Sequence, residues 1–216
     1  STGTVEYNGN SAQSIRAGTF NKLKISGSGT TTLGGSTIVN DSLIIESGAT
    51  LDNSANISLT TNGVLEIRGT YQESNTQGSV TLNGLIHIAS SGTFQSTVNE
   101  AFTIRNGIIN DGTFTSGNGR YTFNTNNQTL SGTNEMIFTG PVTITGVTLT
   151  NELASLKING SVAGTGTLIN TAGNTINLAA NSFTIASLDA TAANNTIIYS
   201  RSGSQSIINT SYQNLT

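Results

Sequence analysis

Leu43-Ile44-Ile45, Leu65-Glu66-Ile67 and Ile86-His87-Ile88 are one pattern met three times at nearly equal intervals. Side chains alternate between the two sides of a strand, so an apolar–x–apolar triplet reads as a short strand with one buried face. Working outward, the triplet precedes this stretch at Leu23-Lys24-Ile25. It follows at Phe102-Thr103-Ile104, Tyr121-Thr122-Phe123, Val142-Thr143-Ile144, Leu156-Lys157-Ile158, Ile176-Asn177-Leu178 and Ile197-Ile198-Tyr199. From Leu23 to Ile197 the steps are 20, 22, 21, 16, 19, 21, 14, 20 and 21. Strand spacing inside each unit, repeated at such a period, marks a solenoid.

Two further marks keep the same step. Glycine, a small residue and a large apolar one recur at Gly18-Thr19-Phe20, Gly69-Thr70-Tyr71, Gly92-Thr93-Phe94, Gly112-Thr113-Phe114 and Gly166-Thr167-Leu168, with Gly48-Ala49-Thr50-Leu51 as a longer variant. Asn-Gly recurs at Asn62-Gly63, Asn83-Gly84 and Asn106-Gly107, which predicts corners in which glycine takes a positive φ. Asn-Gly is also a hairpin signal, so an antiparallel sandwich is the alternative fold. Three marks in step favour coils over hairpins. The expected fold is therefore all-β: a single-stranded, right-handed parallel β-helix of about ten coils of ~20 residues, a rod ~50 Å long. Its core is predicted to stack Leu43, Leu65, Ile86, Phe102 and Tyr121, with Ile45, Ile67, Ile88, Ile104 and Phe123 alongside. Whether the coil is triangular or flattened stays open.

A longer repeat overlies the short one. Tyr7, Gln13, Ser14, Ile15 and Leu23 return as Tyr199, Gln205, Ser206, Ile207 and Leu215 at an offset of 192, and Phe20 returns as Tyr212. Asn21 and Asn214 match one residue out of step, and Gln128-Thr129-Leu130 is a partial copy. Residues 1–216 are expected to form one continuous solenoid, a segment of a longer tandem-repeat protein with a unit of ~192 residues. Uncapped coil ends predict continuation into more chain, or end-to-end or side-by-side self-association.

Composition narrows the function. Of 216 residues 34% are apolar and 9% charged, with 25 glycines, one proline and a net charge of −3. Low charge with frequent Ile, Val and Thr does not fit disorder. The eight basic residues are scattered, so no field steers nucleic acid or anionic membranes to the chain. No run approaches the ~20 apolar residues that insert into a membrane. No signal segment opens the chain, as in a mature protein or an excised segment. Without cysteine there are no disulfides or thiolate metal sites.

Parallel β-helices also carry polysaccharide lyases and hydrolases, which need paired carboxylates or grouped acids that hold Ca²⁺. The eleven acidic residues are spread out, and a pair such as Glu46 and Glu66 reads as a solvated surface feature. His87, the one histidine, is predicted to point outward beside Glu66 and builds no zinc site by itself. Gly27-Ser28-Gly29, Gly34-Gly35 and Gly117-Asn118-Gly119 lack the lysine and helix of a phosphate loop. No catalytic, cofactor-binding or metal-binding residue is assigned, and no cofactor is expected. The middle positions Thr103, Thr122 and Thr143 are predicted to form an outward threonine ladder that contacts a surface. Lys24, Ile44, Glu66, His87, Lys157 and Asn177 are read as interruptions of that column.

Asn21-Lys22-Leu23-Lys24-Ile25-Ser26-Gly27-Ser28-Gly29-Thr30, Ser42-Leu43-Ile44-Ile45-Glu46-Ser47-Gly48-Ala49-Thr50-Leu51 and Tyr212-Gln213-Asn214-Leu215-Thr216 resemble the repeats of very large secreted surface proteins of Bacteroidetes bacteria. Those are similar to adhesins such as filamentous haemagglutinin and autotransporter passengers. The resemblance implies an extracellular, cell-attached, non-catalytic rod or filament that meets glycans, host surfaces or abiotic surfaces. A polysaccharide-active enzyme and a glycan- or ice-binding module are the alternatives.

Overall fold

The computed structural model describes residues 3–75, 78–180 and 182–216. They contain strands, turns and bends and no helix. Every strand pairing is parallel, and each joins a residue to one about 20 positions on, as in Leu43 beside Leu65 and Ile86 beside Ile108. A parallel pair needs a crossover, and here each crossover is the rest of one coil. The solenoid predicted from the triplets is the fold.

The coil is three-sided. Face 1 runs through Thr4–Tyr7, Val64–Ile67, Ile86–Ile88, Ile108–Asn110, Gln128–Ser131 and Thr148–Asn151; face 3 runs through Ser58–Thr61, Ser79–Leu82, Phe102–Ile104, Tyr121–Asn124 and Val142–Thr145. These two faces form one 15-stranded sheet, because long strands such as Thr37–Ile45 and Val162–Asn170 supply both and bend over the shared edge. Face 2 consists of a six-stranded sheet, from Gln13–Ile15 to Thr113–Thr115, and a four-stranded one, from Met136–Phe138 to Thr196–Tyr199.

This geometry corrects the single stack expected from the triplets. Leu23, Leu43, Leu65 and Ile86 stand on face 1, Phe102, Tyr121 and Val142 on face 3, and Leu156, Ile176 and Ile197 on face 2. The two shortest steps between triplets, Ile86 to Phe102 and Val142 to Leu156, are the places where the triplet changes face. The triplets from Leu23 to Leu178 alternate as expected, as where Ile86 and Ile88 are buried and His87 is half-buried on the outside; in the last one Ile197 is buried and Tyr199 only partly so.

The centre of the rod is aromatic. Tyr71, Phe94 and Phe114 stack down face 2 at centroid spacings of 5.3 and 5.2 Å, and Phe102 stacks on Tyr121 at 5.0 Å on face 3. Phe138 meets Tyr121, Phe114 and Phe123 edge-on. Elsewhere the core is Ile, Leu and Val, each buried side chain worth roughly 1.5–3 kcal/mol. Polar side chains line two corners from inside. Asn151 donates to Asn170 Oδ1 at 2.9 Å, which links the side chains of successive coils, and Asn195 donates to the Asn170 carbonyl at 2.7 Å, which satisfies main chain that turns away from the sheets.

All three Asn-Gly corners stack closely on the backbone of a neighbouring coil, and one of them adds a positive φ. Gly107 has φ +82°, the left-handed conformation expected of it. Gly63 and Gly84 do not. A Cβ on Gly84 would run into the Gly63 carbonyl of the preceding coil, and one on Gly63 into the Asp41 carbonyl. Here glycine is required by close stacking of backbones. Gly84→Ala should therefore lower the unfolding free energy by ~1–3 kcal/mol in chemical denaturation, although Gly84 does not have the left-handed φ that disfavours alanine.

The recurring glutamine also finds its role. Gln13 Oε1 accepts from the Gly9 amide at 2.8 Å, Gln205 Oε1 from the Arg201 amide at 3.2 Å, and Gln128 Nε2 donates to the Asn124 carbonyl at 3.0 Å. Each closes a turn across four residues on main-chain groups that have left the ladder.

Candidate functional site

The predicted contact residues come together. Thr103 stands beside Thr122, and Thr122 beside Thr143, on successive coils of face 3. The column is longer than the three residues predicted. Thr60 precedes Thr81, and Thr81 precedes Thr103, so five threonines follow one another without a break. Ala163 and then Thr184 continue it. The six residues read as interruptions do not belong to it. Lys24, Ile44, Glu66 and His87 lie on face 1, and Lys157 and Asn177 lie on face 2. Strand spacing sets these hydroxyls ~4.8 Å apart along the rod.

The column has flanks of its own. On one side the Ser58 and Ser79 hydroxyls meet at 3.0 Å. On the other runs an amide ladder: Asn62 donates to Asn40 at 3.0 Å, Asn83 to Asn62 at 2.7 Å, and Arg105 bridges Asn83 and Asn124 at 2.9 and 3.2 Å. These cross-coil bonds fix the rotamers beside the threonines. Face 2 carries a second column, Thr30, Thr50, Thr70, Thr93 and Thr113. A sequence signal for the unpredicted members exists: Ser58-Leu59-Thr60, Ser79-Val80-Thr81 and Ser182-Phe183-Thr184 share one phrase. It is masked by a more apolar triplet of the neighbouring face, which dominates the pattern: on face 1 for the first two phrases and on face 2 for the third.

Face 1 is different in character. Glu6, Lys24, Glu46, Arg68, Glu66, His87 and Asp111 form one chain in which acidic side chains alternate with Lys, Arg or His, with contacts of 3.3, 3.5, 3.0, 3.1, 2.9 and 3.4 Å in that order. Arg68 sits between Glu46 and Glu66, so these two carboxylates are bridged by a cation. His87 lies between Glu66 and Asp111, with the Glu66 contact the sequence suggested. Hydrogen bonds from the Thr133 amide and hydroxyl hold the Asp111 carboxyl below its usual range. Exposed pairs of this kind set the order of side chains more than they add stability.

Two acids are not on the surface. Glu73 is fully buried at the inner end of face 2, between Asn53 and Ser96 of the neighbouring coils. Tyr71 donates its hydroxyl to Glu73 Oε1, and Asn53 donates to the same oxygen at 3.4 Å. Oε2 has no partner. Burial pushes this carboxyl up to about 8, against the opposing effect of the Tyr71 hydrogen bond, so it is protonated in the fold at neutral pH. The buried Glu100 accepts from the Gly78 and Ala101 amides at 3.1 and 3.2 Å. Among the described residues no group of three or more His, Asp or Glu side chains stands together as a metal centre would require.

No protein-family model, no curated protein and no solved structure matches the chain.

Proposed function

We propose that this chain is a non-catalytic segment of an extracellular rod on a bacterial cell surface, structural in its core and adhesive on its faces. The observation that carries this reading is the unbroken column Thr60, Thr81, Thr103, Thr122 and Thr143. Uncharged hydroxyls repeated at strand spacing, flanked by serine and asparagine ladders, suit a partner that is itself repetitive and hydroxyl-rich. A polysaccharide at a host or cell surface has that chemistry. The stacked core supplies stiffness, and the face supplies many weak contacts whose sum gives avidity.

The expected result is that the 216-residue chain binds immobilised glycans without turning them over. The triple change Thr103→Lys, Thr122→Lys, Thr143→Lys should cut binding at least tenfold and leave the melting temperature nearly unmoved, because these side chains point outward. Release of sugar products, abolished by changing one carboxylate, would instead make the chain an enzyme.

The length and regularity of the column favour one second reading, a face that orders water and binds ice. Thermal hysteresis that vanishes in the same triple variant would identify it.

A further inference from the structure

The offset of 192 seen in the sequence reappears as a repeated set of contacts. Near the start of the chain Val5 pairs with Leu23 on face 1, under the strand Thr37–Ile45. Their counterparts Ile197 and Leu215 pair with each other in the same way, with the Ile197 amide donating to the Asn214 carbonyl at 3.0 Å and the Tyr199 amide to the Thr216 carbonyl at 2.9 Å. The glutamine-closed turn between the paired segments is repeated as well, Gly9 with Gln13 and Arg201 with Gln205.

Two differences are informative. The first is position. Thr4–Tyr7 stands on face 1, whereas Thr196–Tyr199 pairs with Thr175–Leu178 on face 2. Tyr212, the counterpart of Phe20, lies beside Ala190 and is therefore also one face on. Counting pairings along face 1 gives nine coils from Thr4–Tyr7 to the end of Phe183–Asp189, and Thr196–Tyr199 comes one face later. The second difference is cover. Ile15 and Leu23 are fully buried, under Leu33 and Leu43 of the next coil, while Ile207 and Leu215 are 57% and 46% exposed.

We propose that residues 196–216 are the opening coil of a second unit of the same repeat. Their bare Ile207 and Leu215 are the docking surface for the coil that corresponds to Thr30–Ile45. Each unit then comprises nine coils and one further face, so successive units are set a third of a turn apart around the rod axis. The threonine column of one unit continues on the next face in the following unit, and every third unit presents it in the same direction. A rigid flat partner meets one column in three, and a flexible polymer that winds with the rod meets all of them. The proposal rests on the reading of the chain as part of a repeat rod; a failed glycan-binding assay would overturn the adhesive role and not this geometry.

The test is a chain in which residues 25–216 are repeated in frame after Thr216. Electron cryomicroscopy should show one straight rod, longer by ~45 Å at strand spacing, with the second threonine column turned by a third relative to the first. Ile207→Asp should lower the melting midpoint of this two-unit chain by roughly 5–10 °C and leave that of the 216-residue chain unmoved. Two rods joined by a hinge would overturn the proposal. So would columns in line on one side, indifference of the longer chain to Ile207→Asp, or failure of the longer chain to form a rod when the 216-residue chain does.

Discussion

Ile88→Asp should unfold the middle of the rod, lowering the unfolding free energy by more than ~4 kcal/mol, while His87→Ala, one position away, should cost a small fraction of that. Ile88 is fully buried between Ile67 and Asn110 of the adjoining coils, and the residues about it offer a new carboxylate no cation. His87 faces outward, and its loss removes only the last links of the face 1 charge chain. Because each coil rests on its neighbours, the damage spreads along the stack. Urea denaturation of the two variants checks the claim. Equal midpoint shifts would contradict the inward and outward assignment of the triplets.

Stability should fall as pH rises from about 4.5 to about 8, and Glu73→Gln should abolish most of that slope. The sign follows from the direction of the shift. The folded chain holds the proton of Glu73 up to about 8, and the unfolded chain releases it near the usual 4.5. The contribution of this group is therefore complete below about 4.5 and lost as pH climbs through about 8. Over that window it amounts to a few kcal/mol, since one pH unit is worth ~1.4 kcal/mol. Glutamine has the same shape, still accepts from the buried Tyr71 hydroxyl and carries no charge. The variant should be more stable than the parent at pH 8 and nearly equal to it at pH 4. Parallel stability curves for the two would show that Glu73 is charged in the fold.

The period, the strand direction and the alternation of buried and exposed residues are all legible in the sequence, because a parallel coil repeats its side-chain alternation at nearly constant spacing. The assignment of triplets to faces is not. Three faces of one coil have similar patterns, and local apolarity decides which of them stands out. Leu65 and Ile67 conceal Leu59 and Thr60 of the same coil, and the two short steps between triplets are the trace of that change. The ladder Thr103, Thr122, Thr143 is visible because face 3 carries the strongest triplet in those coils. Thr60 and Thr81 are hidden where face 1 does. Buried Glu73 gives no warning, since its neighbours in sequence, Gln72 and Ser74, are polar. What buries it is the stacking of Asn53 and Ser96, which the coils on either side bring against it.

The claim beneath all of this is that neighbouring coils run parallel and set Thr60 through Thr184 in one line. Paired spin labels test it directly. Thr122 lies three coils from Thr60 and Thr184 lies six. At strand spacing these separations are ~14 and ~29 Å. Pulsed electron resonance on the pairs Thr60–Thr122 and Thr60–Thr184 should give two narrow distributions whose centres scale with the number of coils. Broad distributions, or a Thr60–Thr184 distance no longer than that of Thr60–Thr122, would mean that the coils do not stack in this order.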